Sequence, residues 1–159
     1  MTNIGLLFDA PILLGSLFLI NKFKGQIAKL FLKIRLPTFI VSLISAIPFI
    51  IIEENINCGA FQCNYTLLPP TLLPLLIYMA LVGFLFKKLK PKNTTLVMGI
   101  FSFIGLLFEF FFGYSRVEFR QLPPFWFAFI SFWVLISYAY LMIVPLQILK
   151  METRRPKRK

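Results

Sequence analysis

Long apolar runs separated by short polar or basic stretches set the pattern of this chain. The runs fall at 4–20, 37–52, 67–86, 95–113 and 124–149, and their lengths lie near the roughly 20 apolar residues that one bilayer crossing takes. They predict an all-α integral membrane protein with about five transmembrane helices, read as a single helical membrane domain over 1–149 and a basic cytoplasmic tail over 150–159. Prolines mark several of the starts: Pro37, the LLPPTLLP stretch from 67, and the pair Pro123-Pro124, as suits a residue that has no N–H to offer and is tolerated in a first helical turn. Pro48 is expected to bend the second run near its far end. The first run has no basic residue ahead of it, unlike a secretory signal peptide, and is expected to stay in the mature protein. Within it Asp9 and Pro11 read either as an N-cap with proline in the first turn or as a functional carboxylate in the bilayer.

The stretches between the runs differ in kind. From Lys22 to Arg35, Phe23, Ile27, Leu30, Phe31 and Ile34 recur at helical spacing among Lys22, Lys24, Lys29 and Lys33. This predicts a basic amphipathic segment whose lysines lie on anionic lipid headgroups. EENINCGAFQCNYT, from Glu53, reads as a polar connection. Its Cys58 and Cys63 are expected to form a local disulfide, with two free thiols as the alternative, and Asn64-Tyr65-Thr66 fits a glycosylation triplet.

Charge orients the runs. Of 17 Lys and Arg residues, five lie in 21–35, four in 87–92 and six in the tail, leaving Arg116 and Arg120. Basic residues are retained on the cytoplasmic side, so the N-terminus is expected outside and the C-terminus inside, in the cell membrane. The tail residues Arg154, Arg155, Lys157 and Arg158 then face the inner leaflet as further headgroup contacts. Membrane lipids are the expected partners, together with a membrane-protein partner or a second copy of the chain. No recognition module for nucleic acid accompanies the charge. The composition agrees: 58% hydrophobic, 17% aromatic and a mean hydropathy of +0.82, where soluble domains hold roughly 45–50% apolar residues.

On that topology Asp9, Glu53, Glu54, Glu109 and Glu118 gather at or near the outer side, and Glu152 stays inside. These outer acids are the candidate carboxylates of a site. Glu109 stands out because SFIGLLFEFFFG is apolar on both sides of it, and an ionised side chain at membrane depth is costly. At about 1.5 Å per residue it lies about 6 Å below Gly113, so it can also snorkel or pair with Arg116 or Arg120, and Arg116, Glu118 and Arg120 are ion-pair candidates. Trp126 falls where aromatic residues favour the interface.

LeuProPro recurs at 68–70 and 122–124, each time after an apolar run that ends near a glutamate, which is compatible with two parallel hairpin repeats. The paired glutamates of PFIIIEE resemble those of small lycopene cyclase-type membrane proteins, which use acids in proton-driven isoprenoid chemistry. Those proteins carry Pro-x-Glu-Glu and then an aromatic pair, which this chain lacks, so no residue role is carried over. With no histidine, imidazole haem ligation and Ser-His or Cys-His nucleophiles are excluded, and no metal or cofactor is expected. Three readings follow: a non-enzymatic subunit, assembly factor or scaffold, which needs least; a lipid or isoprenoid site, acid-catalysed or not, built on the outer carboxylates; and a small transporter acting as an oligomer.

Overall fold

The computed structural model describes residues 4–61, 67–112, 121 and 123–153, with side chains over 11–57, 67–112, 121 and 123–152. Among the described residues the chain is all-helical: α1 (Ile4–Phe31), α2 (Thr38–Phe61), α3 (Leu72–Leu89), α4 (Thr94–Phe112) and α5 (Pro124–Thr153). Four of them, through the spans Thr38–Asn57, Leu72–Leu89, Thr94–Phe112 and Pro124–Glu152, are long and apolar enough to cross a membrane. The chain is thus a multi-pass membrane protein by its helices. In α1 the apolar stretch 11–20 runs straight into Asn21, Lys22 and Lys24, and α1 is not one of the four.

Two helices differ from their expected bounds. The basic segment is not a separate surface helix: α1 continues through it to Phe31, because Ile27, Ala28, Phe31 and Leu32 pack on the core while Lys22, Lys29 and Lys33 stay exposed. Long lysine stems let one helix pass from bilayer to water without a break. The N-cap reading of Asp9 is also overturned, since α1 begins at Ile4 and holds Pro11 in its interior; the Asp9 side chain lies outside the described residues.

The second difference is in α2, which runs on to Phe61 instead of closing at Glu54. The expected Cys58–Cys63 disulfide is not supported: a helix passes through Cys58 where a short loop was to be clamped, and no disulfide is found among the described residues. Cys63, Asn64 and the Cys58 side chain lie outside those residues. Asn55 Nδ2 donates to the Ile51 carbonyl at 2.7 Å, so the polar letters of this stretch serve the helix.

Helix α5 packs against all four of the others. Its C-terminal half is the core, with Tyr140 through Leu146 buried without interruption. Tyr140 meets the Phe49 ring edge-on at 5.8 Å, which ties α5 to α2. Pro48 and Pro145 stand inside α2 and α5, each leaving the carbonyl four residues back without its helical donor. Nearby, Ser42 Oγ donates to the Pro145 carbonyl at 3.3 Å and Ser45 Oγ to the Ser42 carbonyl at 2.7 Å. Helix α3 ends on Lys90 in the left-handed conformation, φ 45°, with its N–H on the Phe86 carbonyl at 3.0 Å. Helix α4 starts on Asn93, whose Oδ1 accepts from Leu96 N at 3.1 Å. It is the most peripheral crossing, with 11% of its span buried against 44% for α5.

Candidate intramembrane carboxylate site

Counting from the basic end shows why distant residues meet. Glu53 is fifteen residues beyond Thr38, Glu109 fifteen beyond Thr94, and Tyr138 fifteen before Thr153. Each therefore stands about 22 Å from that end. Three helices deliver polar side chains to one level.

Glu53 is 4% exposed. Asn57, one helical turn on, donates Nδ2–H to Glu53 Oε1 at 2.5 Å, and its own Oδ1 accepts from Trp133 Nε1 of α5 at 2.8 Å. This makes a chain of two bonds from a buried indole to a buried carboxylate. The Ser137 hydroxyl, also buried, lies against Glu53 without hydrogen-bond geometry and has no other partner. On the other side of α5, Tyr138 donates its hydroxyl to Glu109 Oε1 at 3.0 Å. The ring of Tyr138 stacks edge-on against Tyr78 of α3 at 5.3 Å, and Tyr78 donates to the Phe101 carbonyl of α4. Glu54 meets the Thr71 hydroxyl at the start of α3, where the helix dipole favours an anion.

The three carboxylates stand within electrostatic reach: Glu54 and Glu109 bear on Glu53, and Glu109 bears on Glu54. No described lysine or arginine is among their partners. Carboxyl groups gathered in low dielectric repay their desolvation only when a proton or a cation joins them. The arrangement can therefore hold a proton or the head of an organic cation, and no group of three acids among the described residues is close enough to hold a metal ion.

Of the candidate residues, the structure places Glu53, Glu54 and Glu109 at one level and within electrostatic reach of one another. Asp9, Arg116, Glu118 and Arg120 lie outside the described side chains, as do Arg154, Arg155, Lys157 and Arg158. Lys24 donates to Asn21 Oδ1 at 2.8 Å. Asn57, Trp133, Ser137, Tyr138 and Tyr78 belong to the site and were missed. The i, i+4 spacing of Glu53 and Asn57 and the polar pair Ser137-Tyr138 inside an apolar run were the signals available.

Gly105 sets the approach of α4 to α5. A Cβ there would fall 2.6 Å from Tyr138 Cδ1 and Cγ, so only glycine lets the Tyr138 ring lie flat on α4 with its hydroxyl at Glu109. Small residues serve close helix contact in membranes in this way. No family model matches the chain, and neither a curated protein nor a solved structure does.

Proposed function

We propose that this is a binding protein of the cell membrane that holds a cation, or the cationic group of an apolar ligand, at the Glu53–Glu54–Glu109 cluster. The observation that carries this reading is the placement of three carboxylates from two helices at one depth, with no described lysine or arginine among their partners. Ionisable groups at membrane depth mark ligand or ion sites by default, and nothing in the packing of α2 on α5 requires charge. The basic segments support an N-out, C-in orientation, which puts the cluster in the outer half of the bilayer. Nucleophile, metal set and phosphate loop are all absent from the reading, which is one of binding and not of catalysis.

The test uses dodecylammonium and dodecanol, which share a chain and differ in the charge of the head. Thermal unfolding in a non-ionic detergent should rise with the ammonium and not with the alcohol, and Glu53→Gln and Glu109→Gln should each remove the rise. Equal shifts by both probes, or a rise that survives both substitutions, contradict the reading.

A second reading, a non-enzymatic subunit or scaffold, is supported by α4. Its outward face carries Phe103, Phe108, Phe111 and Phe112, all more than half exposed, and such a face can take a partner helix as well as lipid. Under that reading the two Glu→Gln variants behave as wild type towards both probes, while polar substitution at Phe103 and Phe108 changes the size of the particle isolated from membranes.

A further inference from the structure

The exposed side of α4 carries a feature that rests on none of the carboxylates. Gly105 is buried under the Tyr138 ring, whereas Gly99 is exposed and a Cβ there would meet nothing within 4 Å. The missing side chain leaves a notch among Leu96, Ile100 and Phe103, each more than half exposed. Together they line an open apolar groove of about 620 Å³ that reaches Ile104. No charged residue lines it, and its polar residues, Asn93 and Thr95, stand only at the mouth, where α4 begins. From Asn93 to Ile104 is eleven residues, about 16 Å of helix, close to the depth of one leaflet in a hydrocarbon core about 30 Å thick. Just ahead of the mouth, in the turn from α3, lie Lys90 and Lys92, both exposed.

The two parts of the groove ask for the two parts of one molecule. A stripe with neither charge nor hydrogen-bonding side chain over a leaflet's depth takes an acyl chain, and two lysines at a mouth that no acid lines take an anionic head. We propose that the groove is a binding site for a single anionic glycerophospholipid, its chain seated over Gly99 and its phosphate at Lys90 and Lys92. Charge disfavours a second copy of this chain as the occupant. Every copy enters the membrane the same way round, so the copy's own Lys90 and Lys92 would arrive at the same level and meet their like. The general attraction of a basic surface for anionic lipid is a different property, since it needs no notch and does not depend on Gly99.

The test is native mass spectrometry of the full chain, released from non-ionic detergent and titrated with phosphatidylglycerol or with phosphatidylcholine of the same acyl chains. The first phosphatidylglycerol is expected to bind about tenfold tighter than the first phosphatidylcholine, and Lys92→Gln should weaken the phosphatidylglycerol about fivefold. Gly99→Leu fills the notch from a position where a Cβ touches nothing, and Ile104→Trp fills the groove from its far end at a residue 43% exposed. Each should weaken the phosphatidylglycerol about fivefold. Gly15→Leu, at another exposed glycine with nothing within 4 Å of its Cβ, and Lys29→Gln, exposed on α1, should leave it within about twofold. Equal binding of the two lipids overturns the proposal, as does wild-type binding by both Gly99→Leu and Ile104→Trp. So does a loss at Gly15→Leu or Lys29→Gln equal to that at Gly99→Leu, which leaves only diffuse attraction to lipid, or a wild-type dimer that Gly99→Leu takes apart, which makes the groove a contact between copies.

Discussion

Gly105→Ala adds one methyl group where α4 meets α5, and the structure fixes what it does. The new Cβ would stand 2.6 Å from two carbons of the Tyr138 ring and 2.7 Å from a third, so the ring or the helix must retreat by about 0.8 Å to reach ordinary contact. The ring cannot simply turn aside. Tyr138 is 6% exposed, its hydroxyl is held by Glu109 at 3.0 Å, and its edge faces Tyr78 at 5.3 Å. Overpacking of this kind costs about 1–3 kcal/mol, and losing the Tyr138–Glu109 bond adds about 1 kcal/mol. The better helix propensity of alanine returns up to about 1 kcal/mol. The net expectation is a destabilisation of about 1–3 kcal/mol, read as a fall in unfolding midpoint in mixed detergent micelles. The same substitution in a Tyr138→Leu background, where the flat ring is gone, should cost less than about 1 kcal/mol. Equal costs in the two backgrounds would refute the proposed contact, as would a stable single variant.

Other substitutions test other parts. Lys90→Gly should raise the unfolding midpoint by the equivalent of about 1 kcal/mol, because a side chain at φ 45° is strained where glycine is not. Trp133→Phe keeps the ring in its buried place and removes the donor to Asn57 Oδ1; a loss of about 1–3 kcal/mol is expected in the same assay. Glu109→Gln keeps an acceptor for Tyr138 and removes a charge that bears on Glu53 and Glu54, so stability should hold or rise while the ammonium response is lost. Lys87→Gln opens the 3.1 Å pair with Glu152, whose partners are 39% and 36% exposed, and should cost no more than about 1 kcal/mol.

The apolar runs were legible because burial in lipid demands continuous hydropathy, and α4 at Thr94–Phe112 lies within a residue of the run at 95–113. Glu109 was legible for the same reason, as the charge interrupting that run. What the runs could not reveal was where polar residues continue a helix. Asn21 to Phe31 reads as a surface segment until Ala28 and Phe31 are seen on the core. Asn55 and Asn57 read as loop until Ile51 and Trp133 supply their partners. Tertiary satisfaction overrides local composition in both places. Ser137 and Tyr138 belong to the cluster only through packing of α5 on α2 and α4, a relation no local pattern carries. Gly105, alone among bulky neighbours in FIGLLF, was the one hint of close helix approach.

The most direct measurement of the central claim is to place the ligand. A long-chain alkylammonium with a diazirine beside its nitrogen, photoactivated with the full chain in lipid nanodiscs and followed by peptide mapping, reports which side chains surround the cationic head. Labels are expected around Glu53 and Asn57 of α2, Glu109 of α4 and Ser137 and Tyr138 of α5, and they should disappear with excess dodecylammonium and in Glu109→Gln. Labels spread along the exposed phenylalanines of α4, and unchanged by competitor, would contradict a carboxylate binding site.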